Sequence, residues 1–455
     1  MSPRKKNTLL FIFLSFMAIL PACARRLPST STPVTAAPTS TAQPVLTQVD
    51  RGTRSVVPQA SPQPSDPSEV QALTPLPPPT ERTDLIPTRE PEPTETAKVI
   101  PSPIPTQVPA SAWEGPGVIF IKDSNLMISS FNGTQMSMLS EEPVGPGPWG
   151  QDYSSQARRL VYESGNSLWV VDLGKNPHSI LSVDRYLESP VISVDGTKIA
   201  YSLVTGFDED QSKQLWTINP DGTENVLAID NTSRYITDPG PFRLRPIAWS
   251  LDNTKVYLVT TTDSEATPVG MYVADLATGT IEKALTPQVT LWDISFSPDR
   301  TRIAYRTFQW KPVPGSMPEV GPPFTLSITD LATGATQIIL ESNTEQFFHP
   351  IWSLEGNRLA YSIRSGVVEG DLGLFTVELA TGETTTVVLG SESSRMTPWN
   401  WRSTGILVYT EKQLSPGEAG EPLTNLYTIT VAGKEQHQID SAPRITVVGV
   451  IEGMK

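Results

Sequence analysis

Residues 326–334 read LSITDLATG, and nearly the same phrase stands at 271–279 as MYVADLATG and at 374–382 as LFTVELATG. Aligning the chain on this phrase brings out seven copies. The others are LMISSFNGT (126–134), LWVVDLGKN (168–176), LWTINPDGT (215–223) and LYTITVAGK (426–434). Each alternates apolar with polar residues and closes on a Gly- or Asn-containing turn, the pattern of a half-buried strand entering a tight hairpin. Another short apolar run follows, as in TQIILE at 336–341 and TTTVVLG at 384–390.

A second phrase precedes six of the copies. VISVDGTKIAY (191–201), AWSLDNTKVYL (248–258), SFSPDRTRIAY (295–305) and IWSLEGNRLAY (351–361) are close to superimposable, while YSSQARRLVY (153–162) and WRSTGILVY (401–409) are degenerate versions. One strand ends, a Ser-x-Asp group turns the chain through side chain to backbone hydrogen bonds, and a second strand begins. Lys198, Lys255, Arg302 and Arg358 recur just after that turn, and at this register they are expected to be partners of the turn Asp. Each unit thus holds four short strands, A to D, over roughly 39–57 residues, without a helical pattern. An all-strand repeat of this period is the signature of a β-propeller blade.

The wording W/F-S-x-D-G-x-K/R-I-A-Y resembles the WD40-like (PD40) repeats of TolB-type propellers, and more loosely the propeller of prolyl oligopeptidases, over about residues 118–451. The fold expected is therefore all-β: a seven-bladed β-propeller of four-stranded antiparallel blades occupying 113–455. The first unit starts at GVIFIKD (117–123) without its own strand A, and the chain ends on an apolar strand, ITVVGVIEG (445–453). The C-terminal strand, 445–451, is expected to complete the first blade, leaving no edge open. ASAW (110–113) is the competing source of that strand.

The N-terminus sets the expected address. Arg4, Lys5 and Lys6 precede thirteen residues, Thr8 to Leu20, in an apolar run too short to span a bilayer, so 1–22 read as a signal peptide. Leu20-Pro21-Ala22-Cys23 resembles a bacterial lipobox, and Cys23 is the only cysteine in the chain. Two or three acyl chains on Cys23 would give stable anchoring at about 0.8 kcal/mol per buried CH₂. Residues 24–112 carry nineteen prolines and no Phe, Tyr or Trp, so 23–112 read as a lipidated, disordered Pro/Thr/Ser tether. Of the 34 Lys/Arg and 48 Asp/Glu, ten and eight lie up to residue 112, which leaves 24 against 40 and a net charge of −16 for the rest. An acidic domain argues against nucleic acid as a partner.

Blade geometry then selects a face. The A–B and C–D turns are minimal, whereas the B–C loops (LVTGFDEDQSKQ, TTTDSEATPVG, RTFQWKPVPGSMPEVGPPF, TEKQLSPGEAGEPLTN) and the D–A connections at 229–246, 341–350 and 141–150 are long. These emerge on one rim, and long loops on a rigid scaffold are where function resides. Tyr235, Phe242, Arg243, Arg245, Trp310, Phe347, Phe348 and His349 fall within them and form the candidate ligand-binding face, because aromatics and Arg dominate binding hot spots.

Signs of chemistry are few. There is no G-x-S-x-G elbow and no room for a hydrolase domain. His178, His349 and His437 share no metal-ligand spacing, and Asp208, Glu209 and Asp210 lack the spacing of a Ca²⁺ loop. No catalytic, metal or cofactor site is expected. The chain reads as a monomeric lipoprotein on the extracytoplasmic side of a bacterial envelope, binding a protein, peptide or glycan without catalysis. By resemblance to TolB-type propellers, an envelope protein is the first such partner, although those proteins carry a separate α/β domain where this chain has a tether. The alternative is a glycan- or peptide-processing enzyme with paired carboxylates at the channel mouth, for which Asp293 and Glu355 are candidates by position.

Overall fold

A computed structural model describes residues 99–100, 106–107, 113, 115–145, 150–204, 214–231, 244–261, 268–285, 291–311, 319–366, 370–402, 405–414 and 422–452. All lie in one compact unit, Arg89–Lys455. Among the described residues there is no helix, and the strands form seven sheets whose A-B-C-D strands are antiparallel. Blades two to seven run 151–182, 187–230, 245–283, 292–342, 345–389 and 394–442, each with four strands in A-B-C-D order, and the sheet of blade seven gains a fifth at its outer edge. Blade one combines both ends of the unit. Ile445–Ile451 is its strand A, paired antiparallel with Gly117–Lys122, and Asn125–Ser129 and Gln135–Ser140 follow. Trp113 is not part of that sheet; its ring is buried beside it and its Nε1 donates to the Gly115 carbonyl. The protein is a seven-bladed β-propeller.

The repeated LSITDLATG phrase has a local cause. In blade five, Oδ1 of Asp330 accepts from the backbone N–H groups of Ala332 (3.1 Å) and Thr333 (2.8 Å) and from the Thr333 hydroxyl (2.8 Å). Gly334 then takes φ +71°, a left-handed conformation that a Cβ would strain. Asp275 and Gly279 repeat the arrangement in blade four.

The A–B turns behave similarly, with one correction. In blade three, Asp195 Oδ1 accepts from Ser193 Oγ (2.7 Å), Thr197 N (3.0 Å) and Thr197 Oγ1 (2.9 Å). Oδ1 of the turn Asp is thereby satisfied within its own turn, Oδ2 accepts from Asn253 Nδ2 of blade four at 2.7 Å, and the following cation goes elsewhere. Lys198 reaches Asn219 and Glu224 in the C–D turn of its own blade, and Arg302 donates to the Gly356 carbonyl of blade six at 2.9 Å. Lys198 and Arg302 thus tie turns together by hydrogen bonds, and the charge of Arg302 acts on its turn residue Asp299 without a hydrogen bond.

The core is divided among the blade interfaces. In one cluster Ala304, Leu326, Ile328 and Leu340 of blade five pack on Trp352, Leu359 and Tyr361 of blade six. In the next, Ala360 and Leu374 of blade six pack on Trp401, Leu407 and Tyr409 of blade seven. Leu359 and Ala360 are adjacent in one strand yet serve opposite interfaces, because successive strand side chains point to opposite faces. Strand B is therefore covered on both faces, as the fully buried Ile199–Leu203 illustrates, whereas strand C at Gln214–Ile218 is half-buried and strand D at His178–Ser182 is largely exposed.

A second correction concerns the tether. Val99–Ile100 pairs parallel with Gln436 and His437 at the outer edge of blade seven, and Thr106–Gln107 pairs with Gln135 and Met136 of blade one. The last residues of the Pro-rich segment thus add strands to the two blades that meet at the closure of the ring. A backbone of Val, Ile, Thr and Gln offers N–H groups that its prolines lack, which is why pairing occurs there. Residues 1–98, with the signal segment and Cys23, lie outside the described residues.

Candidate functional site

The face bearing the B–C loops carries a continuous polar and aromatic chain across blades five, six and seven. It is built on the inner strands Trp292–Phe296 and Glu345–Trp352, each of which breaks register: between Trp292 and Ser295, and between Phe348 and Ile351. Within these bulges Asp293 (φ 53°) and His349 (φ 50°) adopt left-handed backbones. Such strain costs about 1–3 kcal/mol per residue and persists only where surrounding contacts impose it.

Those contacts are present. Asp293 Oδ2 accepts from Arg306 Nε at 2.8 Å and from the backbone N–H of His349 at 3.1 Å, and His349 Nδ1 stands 3.6 Å from the same oxygen. The bulge of blade five therefore clamps that of blade six. The guanidinium carbons of Arg306 and Arg364 lie 4.2 Å and 4.1 Å from the ring centroid of Phe348. Arg364 Nε donates at 3.0 Å to Asp371 Oδ1, and Asp371 Oδ2 accepts the Met396 N–H of blade seven at 2.6 Å.

Burial sets the electrostatics. It would push the Asp293 carboxyl up, but the charges of His349 and Arg306 hold it below the ordinary carboxylate range. Burial lowers the affinity of Arg306 for its proton, Asp293 opposes that, and the like charge of Arg364 adds to it. Burial also raises the Asp371 carboxyl, against the Met396 N–H and Arg364. Two cations and two anions are locked together by their own environment.

A second polar group spans blades two to four. Glu163 in strand Arg159–Ser164 is pushed up to about 7, first by burial and then by the nearby charge of Glu188. Its Oε2 is buried and has no hydrogen-bond partner among the described residues. Arg245 stands 3.5 Å from Glu188, and burial and then Glu163 raise the half-exposed Tyr186 phenol.

The expected face is changed accordingly. Tyr235, Phe242 and Arg243 lie outside the described residues. Arg245 opens strand Arg245–Trp249 and sits with Glu188, not with the Phe348 chain. Trp310 lies in strand Arg302–Lys311, its backbone opposite Val320, because strands B and C of blade five extend into the segment expected to be a loop. Phe347 and Phe348 are not loop residues either. The connection before them is only 342–345, where Ser342 Oγ caps the N–H groups of Thr344 and Glu345, and both rings are buried in strand A. Phe347 faces the core against Tyr361, at 6.0 Å between centroids, as the strand alternation requires. Of the expected residues, Phe348 and His349 are the ones brought together. Glu355 is exposed in the A–B turn, on the opposite face from Asp293, so these two do not form a carboxylate pair.

Arg306, Arg364, Asp371 and Glu163 were not legible as site residues. The available signal was a charge in strand B beyond the repeated Tyr, at Tyr305-Arg306, Tyr361-Ser-Ile-Arg364 and Tyr162-Glu163. Among the described residues, no group of three or more His, Cys, Asp or Glu is placed to hold a metal ion.

No protein-family model matches the chain. No curated protein matches it either. Solved structures do resemble it in fold. An oligogalacturonate lyase from Vibrio parahaemolyticus is 13% identical over 67% of this chain and 83% of that one, with a TM-score of 0.48. TolB from Acinetobacter baumannii is 15% identical over 73% and 82%, with a TM-score of 0.38. An oligogalacturonate lyase in complex with manganese is 16% identical over 56% of this chain, with a TM-score of 0.40; the match spans 64% of that chain's length, under two thirds. At these identities the likeness is one of propeller fold alone.

Proposed function

We propose that the protein is a binding scaffold that presents its B–C loop face to a protein, peptide or envelope glycan, held at a membrane by acylation of Cys23. One observation carries this reading: the Arg306–Phe348–Arg364 chain, immobilised on strands A and B of two blades, lies on the face with the long connections. Arg and aromatic side chains held rigid by a scaffold are the usual anchors of recognition, since little entropy is lost when a partner engages them. The composition of 23–112 supports a tether that carries this face away from the membrane.

The test is capture from envelope extract by the full chain in detergent, beside a variant with His349 and Arg364 changed to Ala. Loss of capture in the variant supports this face; equal capture by both moves the binding surface elsewhere. Cys23→Ser should move the protein from the membrane fraction to the soluble fraction, and its retention would sink the anchor.

A second reading, glycan or peptide processing, has its own support in Glu163. A carboxyl titrating near 7 beside a second carboxylate is suited to general-acid work. Hydrolysis or cleavage of envelope polymers by the wild type, abolished by Glu163→Gln, would establish it.

A further inference from the structure

Arg306 and Arg364 share one aromatic ring, so their guanidinium carbons are separated by no more than the sum of 4.2 Å and 4.1 Å. Each charge is answered by one carboxylate, Asp293 or Asp371, and each through Nε alone. A guanidinium has two hydrogen-bonding edges. Among the described residues, neither arginine donates a hydrogen bond from its Nη atoms. The Nη1–Nη2 edge is a planar fork matched to the two oxygens of a carboxylate. Both guanidinium carbons lie over the Phe348 ring, which limits where each can move.

The surroundings favour an incoming anion over water. The Arg306 side chain is 13% exposed and that of Arg364 21%, so charges here act in a medium that screens them less than bulk solvent does. The imidazole of His349, 42% exposed, borders the same cluster beside Asp293. The charge count limits the ligand. Two guanidiniums already face two carboxylates, so each further negative charge on a ligand adds to a set already balanced. A dianion would bring uncompensated negative charge into a partly buried site. The globular part carries a net −16, which disfavours polyanions at long range.

We infer that the Nη edges of Arg306 and Arg364, with His349, bind a singly charged carboxylate, such as a sugar acid or a peptide C-terminus. This names the ligand chemistry of the face proposed above and rests on that reading.

Calorimetric titration of the full chain in detergent tests it with four probes: glucuronate, trialanine, trialanine amide and inorganic phosphate. Glucuronate or trialanine should bind, which identifies the source of the carboxylate, while the amide should not bind and phosphate should bind more weakly. Arg364→Gln should weaken the bound carboxylate at least tenfold. Arg364→Lys, which keeps the charge and the stem but not the fork, should also weaken it while melting like the wild type. Unchanged affinity in Arg364→Gln, tighter binding of phosphate, or no binding of either carboxylate to the wild type would overturn the inference. If neither carboxylate binds yet the His349/Arg364 variant still loses its envelope partner, the ligand class fails and the face stands. If a carboxylate binds and is lost in Arg364→Gln while capture is unaffected, the site stands and the face fails.

Discussion

The carboxylate of Asp371 joins two blades: one oxygen accepts from Arg364 of blade six at 3.0 Å, and the other accepts the backbone N–H of Met396 in blade seven at 2.6 Å. Its side chain is fully buried. Asp371→Ala would leave a largely buried guanidinium and a buried N–H without partners, a loss expected to cost about 3 kcal/mol. Asp371→Asn keeps an acceptor for Met396 and should cost less. Urea unfolding measures both, and a change within about 0.5 kcal/mol for Asp371→Ala would show that the junction adds no net stability.

The Trp at the end of strand A makes the corresponding link on the core side. Trp352 Nε1 donates to the Ser295 carbonyl of blade five at 3.0 Å, and the Arg302 guanidinium carbon lies 4.8 Å from its ring centroid. Trp352→Ala should cost about 3–5 kcal/mol through cavity formation at the interface of blades five and six. Arg302→Met keeps most of the stem and should cost only about 2 kcal/mol, the scale of one cation–π contact plus a hydrogen bond to Gly356. If the two variants unfold alike, the ring is not what seals the interface.

How far the sequence discloses this molecule depends on the range of the interaction concerned. The Asp330–Thr333 turn and Gly334 are satisfied within a few residues, so the phrase that encodes them repeats visibly, and with it the blade count. Register and depth are set across blades and leave weaker marks. Nothing near Phe348 in sequence discloses that Arg306 and Arg364 stack on it, since one comes from blade five and the other from a neighbouring strand. Phe347 and Phe348 look like loop aromatics because a bulge at His349 interrupts the alternation that would mark a strand. Glu163 sits where the pattern places an ordinary strand residue, and only its burial beside Glu188 alters its chemistry.

That burial predicts a pH dependence of stability. The folded-state value of Glu163, about 7, lies above its ordinary 4.5, so folding favours the protonated acid. Its contribution is fully present below about 4.5 and is lost as pH rises through about 7. Over that window stability should fall by up to about 3 kcal/mol, at 1.36 kcal/mol per pH unit of displacement. Glu163→Gln should flatten this part of the profile and be the more stable protein at pH 8, with little difference at low pH. Parallel profiles for variant and wild type from pH 4 to 8.5 would show that Glu163 is ionised at no such cost.

The ring closes through noncovalent pairing of Ile445–Ile451 with Gly117–Lys122, and this strand carries Val447, Val450 and Ile451 into the core. A chain ending at Arg444 would expose the apolar inner edge of blade one and the flank of blade seven, since Val447 and Val450 pack with Val408 and Leu426. An unpaired inner edge of this kind recruits other chains. The truncated protein is expected to aggregate or to melt far below the full chain. A synthetic peptide of residues 445–452, added during refolding, should restore the melting transition in proportion to its occupancy, because it supplies the same ladder and the same side chains. The same peptide with Val447 and Val450 changed to Ser keeps the backbone hydrogen bonds and should fail to rescue. Equal rescue by both peptides would mean that the ladder, and not the buried valines, closes the ring.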